Sequence, residues 1–309
     1  MCYSAIIKAQ HAAYRHMTGA ELDLDQCGEI LDWTPQSGER RIVPRAVERW
    51  FDNPGSEQER RIHDSIAARR AAQATAWQRE LFVQRRRLAD AERKVAGGTA
   101  RSAADSRRLA ARKIEALLKK LGTLNDTGAH SGDARFLPMH YAPIVIDEGG
   151  RRVIRLARYH CRLPGKSVSV DGLFPGLYNA RRGDLQKYWR VAFGTSHALL
   201  LADSFFENVS RGGRNAVLHF QPRPADTMLI ACLYAVWTSP GGGSLLSFAA
   251  ITDDPPPEVA ATGHDRMIIN LQPQNVDAWL TPQRRTDAEL QAILGERRTA
   301  YYEHEVLAA

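Results

Sequence analysis

The amino-acid sequence predicts an α+β fold in which helices flank a mainly antiparallel β-sheet or partly closed barrel, with a helical hairpin inserted into it. Short β-branched or apolar runs separated by turn residues begin near Phe136, which is the pattern of strands. Before them, apolar residues recur at helical spacing over residues 57–121, which predicts long helices. With 309 residues and 44% hydrophobic content, the chain can bury one large core or two ordinary ones.

The first third of the chain is predicted to be mostly helical. Ala5-Ile6-Ile7 is expected to form a short strand that leads into a helix reaching about Leu31. Ser56, with Glu59 three residues later, has the spacing of a capping box and predicts where a long helix begins. The sequence then predicts a helix end at Gly97-Gly98, a second helix over 100–121 that closes at Gly122, and a polar loop over 122–132.

The remainder of the chain is predicted to supply the sheet. The candidate strands span 142–146, 152–157, 198–202, 216–220, 228–236 and 245–252. Two short helices are expected over 276–280 and 287–294. Because the strands are short and follow one another closely, their spacing favours antiparallel pairing or a partly closed barrel.

The positive charge of the chain is concentrated in one segment. The net charge is +7, yet residues 39–120 contain 21 Lys and Arg against 11 Asp and Glu, so the rest of the chain is slightly acidic. Such a segment suits a phosphate-backbone partner, although a solvated helix face has the same composition. Two roles stay open for it: added affinity for DNA, or contact with a partner protein.

The cysteine pattern excludes several classes of protein. The four cysteines are scattered without a CxxC pair, so neither a zinc site nor a disulfide framework is expected, and no metal or cofactor is implied. We interpret Cys27, Cys161 and Cys232 as reduced thiols. No signal-peptide pattern opens the chain, and apolar runs such as 227–237 are too short to span a bilayer. We expect a cytoplasmic monomer without a membrane partner.

Cys2 is the residue whose chemistry is most informative. If Met1 is removed, the α-amine and the thiol of Cys2 form a 1,2-aminothiol. The amine can condense with an aldehyde to an imine, and the thiol can then add to that imine and close a thiazolidine. A cysteine after the initiator Met is also simply a small residue that permits Met removal. Aldehydes are nevertheless the electrophile that this arrangement favours.

Three further motifs follow in the chain: Tyr178-Asn179-Ala180-Arg181, Ala202-Asp203-Ser204-Phe205-Phe206-Glu207 and His264-Asp265-Arg266-Met267. Together with Met1-Cys2 and in this order, they resemble the SOS response-associated peptidase (SRAP) family, whose members protect abasic sites in single-stranded DNA by covalent attachment. The resemblance covers the N-terminal segment and about 136–280. It implies an SRAP-like core over residues 2–38 and 123–309, with the basic hairpin inserted over 39–122.

The resemblance also implies roles for individual residues. Cys2 would bond the abasic aldehyde, and Asn179 would orient the terminal amine and thiol. Glu207, with a raised pKa, would move a proton to open the sugar ring, and His264 would assist imine formation and ring closure or their reversal. Arg181 and Arg266 would bind phosphates of the DNA.

Each residue also has a structural interpretation when it is considered alone. Asn179 suits a tight turn, Glu207 a solvated surface and Arg181 a structural ion pair. In the family-like motif, Asp265 is expected to orient the imidazole of His264. The chain departs from the family pattern at Tyr3 and Ser4, where Gly and Arg are usual, and at Gly183, Asp184, Asn208 and Ile268.

The family chemistry implies an enzyme-like protein of the bacterial DNA damage and SOS response that is associated with the nucleoid during damage. The family name further implies self-catalysed removal of Met1, a peptidase or hydrolase type of reaction. One alternative is an N-terminal cysteine hydrolase that attacks an amide, although no Gly-rich turn near the terminus proposes an oxyanion hole. The other is a non-catalytic nucleic-acid-binding module on an SRAP-like scaffold. Substitution of Cys2 distinguishes the last from the first two.

Overall fold

The computed structural model describes residues 3–32, 41–98, 101–126, 128, 130–211 and 214–307. The N-terminal half of this part contains, in order, β1 (Ser4–Ile7), α1 (His11–Thr18), β2 (Glu21–Leu22), α2 (Leu24–Leu31), α3 (Arg45–Glu48), α4 (Glu57–Ala96), α5 (Arg101–Asn125), β3 (Arg135–Phe136), β4 (Tyr141–Glu148) and β5 (Arg151–Tyr159). The C-terminal half contains α6 (Val170–Leu173), β6 (Asn179–Arg181), β7 (His197–Arg211), β8 (Arg214–Arg223), β9 (Met228–Thr238), β10 (Ser244–Asp253), α7 (Pro257–Ala260), β11 (Met267–Ile268), α8 (Val276–Leu280), α9 (Asp287–Gly295) and β12 (Tyr301–Leu307).

Five of these strands form a closed barrel. Strand β4 pairs antiparallel with β5 and with β7, and β9 pairs antiparallel with β7 and with β10. A parallel pairing of β10 with β5, in which Ser247 lies opposite Arg158 and Phe248 opposite Tyr159, closes the ring. The α+β class and the mainly antiparallel barrel core are therefore confirmed, and the barrel is closed rather than partly open. Closure removes the free sheet edges that an open barrel would expose.

Strand β7 extends beyond the barrel and organises a second sheet. Its first half pairs with β4 and β9, and its second half pairs with β1 on one side and with β8 on the other. Strand β3 pairs with β1, and β12 pairs with β8. The order of this extension is therefore β3-β1-β7-β8-β12. It places the start of β1 next to the second half of β7, where Glu207 lies.

The barrel strands are buried on both faces. Alternate residues of β7 belong to two different hydrophobic clusters, Leu200 to the first and Leu199 and Leu201 to the second. Helix α8 covers the second cluster with Trp279, while α2 packs Leu31 into the first. Burial on both faces explains why these strands read as nearly continuous apolar runs rather than as alternating ones.

The capping box of the long helix is present, as predicted. The amide of Glu59 donates to Ser56 Oγ over 3.1 Å, and the Glu59 carboxylate accepts from the Ser56 amide over 3.2 Å. The prediction that the second helix closes at Gly122 is wrong, because α5 continues to Asn125. Arg45 donates hydrogen bonds to the carbonyls of Thr123 and Asp126, which satisfies this later helix end.

The N-terminal segment differs from the single helix that the sequence predicted. Gly19 adopts a left-handed conformation with φ 66° and ends α1, a conformation that glycine reaches without a Cβ clash. A short strand, β2, then pairs with β5 before α2 begins. The division into a core and an insert at 38/39 and 122/123 stays a prediction; Val47 and Phe51, within the segment assigned to the insert, are buried in the first cluster.

Helices α4 and α5 pack along each other as the predicted basic hairpin. Near its base, Ile62 and Ile66 of α4 join the first hydrophobic cluster, and farther along the apolar contact is made mainly by small or isolated side chains such as Leu81 and Ala110. Within the ranges listed above, no helix combines the length and the apolar character needed to cross a bilayer. The three described cysteines are buried free thiols, as expected.

Candidate active site

Glu207 is the most deeply buried acid of the site. It lies in the second half of β7, shares its side of the strand with Phe205, and is 0% exposed. Burial raises the pKa of its carboxyl group, and the neighbouring His264 opposes this in part. Because desolvation disfavours the charged form, Glu207 keeps its proton to higher pH than an ordinary glutamate does. A buried environment that raises the pKa of Glu207 is what the sequence analysis predicted.

His264 holds the other end of a carboxyl–imidazole pair with Glu207. Its Nε2 lies 3.2 Å from Glu207 Oε2, and its Nδ1 lies 2.7 Å from the carbonyl oxygen of Arg266. A carbonyl oxygen can only accept, so Nδ1 carries a hydrogen and a neutral imidazole presents the lone pair of Nε2 to the carboxyl group. The geometry therefore allows a proton to pass between Glu207 Oε2 and His264 Nε2.

Asn179 presents an unsatisfied amide. Strand β6 runs parallel to β10, with Asn179 opposite Ala250, and the residue is 8% exposed. Neither its side-chain oxygen nor its nitrogen has a hydrogen-bond partner among the described residues. Since leaving a buried amide unpaired costs free energy, the side chain is suited to a polar group that this part of the chain does not supply.

The three residues lie at one end of the barrel. Phe205, which lies two residues before Glu207 on the same side of β7, belongs to the same hydrophobic cluster as Ala250, which lies opposite Asn179. The hydrogen bond to Asp265 is the largest cause of the raised pKa of Arg266, and the proximity of Glu207 and of Tyr178, the residue before Asn179, contributes further. The structure therefore brings together Asn179, Glu207 and the His264 motif from three distant parts of the chain.

The two arginines predicted to bind DNA are placed differently. Arg181 is half exposed, and its nearest carboxylate, Asp254, is 3.9 Å away. Arg266 forms a bidentate pair with Asp265, with Nε–Oδ1 3.1 Å and Nη2–Oδ2 2.8 Å. The expectation that Asp265 orients the imidazole of His264 is wrong, because the Arg266 carbonyl does so instead. The guanidinium of Arg266 lowers the pKa of Asp265 to about 2.

The N-terminal strand β1 begins beside the Glu207–His264 pair. Ser4 lies opposite Phe206 in the antiparallel pairing of β1 with β7, and the amide of Tyr3 donates to the Phe206 carbonyl over 3.1 Å. Tyr3, the first residue of the described ranges, therefore comes alongside Glu207. The predicted nucleophile, Cys2, lies outside the described residues.

Thr252 is a polar side chain at this end that the sequence analysis missed. It lies opposite Arg181 of β6 and Ile268 of β11, is completely buried, and its Oγ1 has no hydrogen-bond partner among residues that the structure describes. Its β-branched side chain fits a strand, so the sequence concealed it within an apolar run. The signal that could have revealed it is a hydroxyl on a strand buried on both faces.

The donor set does not indicate a metal centre. Across the described ranges, no group of three or more His, Cys, Asp and Glu side chains is arranged to hold an ion. Glu207 and His264 are paired with each other. Their arrangement suits proton transfer between two groups in a dry site.

The fold and the site define a barrel protein in which a buried carboxyl–imidazole pair lies beside the N-terminal strand, with a buried amide on β6 that has no partner among the described residues. The chain belongs to the SOS response associated peptidase (SRAP) family, whose family model matches residues 105–308. Residues 105–308 include all three motifs that carry Asn179, Glu207 and His264, and they begin within α5.

The similarity to individual proteins is lower and covers a smaller part of the chain. The chain is 27% identical to the abasic site processing protein YoqW of Bacillus subtilis over 121 residues, 38% of this chain and 54% of that protein. It is 25% identical to the abasic site processing protein YobE of the same organism over 153 residues, 48% of this chain and 68% of that protein. The chain thus spans about half the length of YoqW. A solved structure of a Bacteroides thetaiotaomicron protein superposes with TM-score 0.49 at 15% identity, covering 57% of this chain and 78% of that one.

Proposed function

We propose that this protein captures abasic sites in single-stranded DNA covalently, through a thiazolidine formed by Cys2 after removal of Met1, and so protects the lesion during the response to DNA damage. The observation that carries the proposal is the buried Glu207–His264 pair, with its contact of 3.2 Å, beside the start of the N-terminal strand. The names of YoqW and YobE as abasic site processing proteins support abasic DNA as the substrate.

Glu207 acts first, on the closed sugar. An abasic deoxyribose exists mainly as a cyclic hemiacetal, so the ring oxygen must gain a proton and the hydroxyl on C1′ must lose one before the aldehyde is exposed. A carboxyl group whose pKa is raised by burial holds the required proton to higher pH than an ordinary glutamate does. His264 Nε2 accepts or returns the proton that Glu207 exchanges.

The covalent step then balances without a further reactant. The amine of Cys2 adds to the C1′ aldehyde, and the resulting carbinolamine loses water to give an iminium. The departing hydroxyl takes its proton from the pair of Glu207 and His264, the thiol of Cys2 returns one proton to that pair, and the resulting thiolate adds to C1′ of the iminium. The products are a thiazolidine and one water molecule, and the reverse steps release the DNA.

Asn179 positions the aminothiol in this proposal. Its buried amide offers a donor and an acceptor that the described residues leave unused, and an amine beside a thiol supplies the complementary acceptor and donors. Arg181 and Arg266 then bind phosphates that flank the lesion. Arg181 is the more available of the two, because Arg266 is already held by Asp265.

Met1 removal belongs to the same proposal. Cys2 becomes an aminothiol only when the Met1–Cys2 peptide bond is hydrolysed, and the thiol of Cys2 with the proton-transferring pair provides the groups for a self-catalysed reaction. Intact-protein mass spectrometry of the wild type and of Glu207→Gln measures it. The expected result is retention of Met1 in the variant and its loss in the wild type when both are produced without a Met-removing enzyme.

Denaturing gel electrophoresis tests the capture reaction. The purified protein is incubated with an oligonucleotide that contains one abasic site, beside Cys2→Ala and the matched control Cys27→Ala, which removes a buried thiol elsewhere in the chain. We expect a shifted band for the wild type and the control, and none for Cys2→Ala. Borohydride should restore a band for Cys2→Ala, because its amine still forms a reducible imine.

A wild-type protein shown by mass to lack Met1 that forms no band would overturn the proposal. Retained affinity for the same DNA without a band would instead support the non-catalytic binding module. Glu207→Gln should slow band formation about a hundredfold, the usual contribution of a positioned acid or base.

A further inference from the structure

A groove with no assigned role lies between the base of the hairpin and the segment that precedes α4. It has a volume of about 490 Å³ and is formed by residues 41–48 together with the facing sides of α4 and α5. This size is within the range of sites that accept small organic ligands. Six basic residues line it: Arg41, Arg45, Arg69, Arg70, Lys119 and Lys120.

Basic residues outnumber acidic ones in the lining of this groove. Glu48 is the single acidic residue of its lining, and its carboxylate is shared by Arg69 and Arg70. Lys119 and Lys120 are exposed at its edge, and within the described part of the chain no carboxylate lies within 4.0 Å of either ammonium group. The two lysines are therefore available to an anion from solution.

The floor of the groove is apolar and contains an aromatic ring. Trp77 lines it together with Ile42, Val43 and Leu124, and the indole is partly exposed. Lys120 Nζ lies 5.7 Å from the centre of that ring. An aromatic ring with an ammonium group nearby is a combination that can bind a base by stacking and its phosphate by charge.

We propose that this groove binds a nucleotide of single-stranded DNA, with its base against Trp77 and its phosphate at Lys119 and Lys120. This inference rests on the proposed function, because the strand that occupies the groove is the same DNA strand whose abasic site Cys2 captures. An acidic peptide would satisfy the lysines but would leave the indole surface unused, so nucleic acid fits the whole groove better. Binding here gives the insertion a second attachment to the strand and raises the local concentration of DNA.

The test measures equilibrium binding to undamaged DNA. A fluorescent single-stranded oligonucleotide without an abasic site is titrated with the full-length protein at several salt concentrations, and anisotropy gives the affinity. Lys119→Gln/Lys120→Gln is compared with Arg112→Gln/Lys113→Gln, which removes the same formal charge from exposed positions of α5 outside the groove. Because all four positions are exposed, both variants should fold.

We expect the groove variant to lower the magnitude of the slope of log affinity against log salt by about 1.4, the value for two lost phosphate contacts on a single strand, while the control changes it much less. Trp77→Leu should weaken binding about tenfold, as loss of one base stack does, and Trp77→Phe should retain most of it. Equal salt slopes for the groove and control variants would overturn the proposal and leave a protein partner as the occupant.

Competition with thymidine monophosphate distinguishes a free nucleotide from a DNA strand as the ligand of the groove. Displacement of the oligonucleotide by the mononucleotide at millimolar concentration identifies a site that accepts a free nucleotide, whereas displacement by oligonucleotides alone identifies a site for the strand. Since the probe has no abasic site, its binding does not depend on Cys2. Failure of covalent capture and failure of the groove are therefore observed separately.

Discussion

Two carboxyl groups near the site respond in opposite ways to their surroundings. Glu207 is completely buried, and desolvation raises its pKa. Asp265 is largely exposed, and its hydrogen bonds to the Arg266 guanidinium lower its pKa to about 2. At neutral pH the Asp265 carboxyl group is therefore an anion, while Glu207 keeps its proton to higher pH than an ordinary glutamate and lies beside His264. Environment, rather than residue type, therefore separates the proton donor from the fixed charge.

The raised pKa of Glu207 makes stability depend on pH in a defined direction. Above the ordinary value of 4.5 the unfolded chain has released this proton while the folded chain still holds it, so stability falls as pH rises from 4.5 towards the raised pKa. Urea unfolding of the wild type and Glu207→Gln over this range measures the effect. We expect the wild type to lose stability relative to the variant as pH increases.

Asp265→Asn provides the control of opposite sign. Its lowered pKa contributes stability that is present above 3.8 and is lost as pH falls towards about 2. Parallel curves for the wild type and Glu207→Gln between pH 4.5 and 8 would show that Glu207 is not held in its neutral form.

At the scale of elements, a series of hydrogen bonds between side chains connects the edge strand β12 to β7 through β8. Glu305 Oε1 lies 2.9 Å from His219 Nδ1, and His219 Nε2 lies 2.8 Å from Ser204 Oγ. The order is that of a serine-hydrolase triad. Ser204, however, is only 2% exposed and lies on the face of β7 opposite to Glu207, so these contacts cross-link three strands.

Removal of the middle member of this chain should destabilise more than removal of its outer member. His219→Ala leaves the buried hydroxyl of Ser204 without its partner and removes a ring stacked on Phe206, which should cost about 1–3 kcal/mol. Glu305 is largely exposed, so Glu305→Ala should cost less than about 1 kcal/mol. Urea unfolding measures both, and equal losses would contradict this interpretation.

At the scale of the whole molecule, charge and packing divide between the barrel and the hairpin. Helices α4 and α5 contain 17 Lys and Arg against 8 Asp and Glu. Their net charge of +9 exceeds the net charge of +7 of the whole chain. The barrel is covered by two hydrophobic clusters, whereas the outer part of the hairpin buries few large side chains. Phe82 and Val83 are instead exposed there.

This division predicts unequal local stability. Amides of α4 beyond residue 80 should exchange with deuterium faster than those of β7 and β9, because local opening of the hairpin exposes little apolar surface. Hydrogen exchange followed by mass spectrometry of peptides from both regions measures it. The first turns of α4, which contribute Ile62 and Ile66 to the first cluster, serve as the control within the same helix and should exchange slowly. Uniform protection along α4 would contradict the prediction.

The sequence by itself determined the five barrel strands, the start of α4 and the order of the motifs, because these depend on local periodicity and on short spacings such as that of Ser56 and Glu59. It also indicated Asn179, Glu207 and His264 as one group, through resemblance to the family. Tertiary structure decided the parallel contact of β10 with β5 that closes the barrel, the unpaired hydroxyl of Thr252 and the pairing of Asp265 with Arg266. Those features depend on which distant segments meet and on how deeply each group is buried, and neither is encoded in the residues nearby.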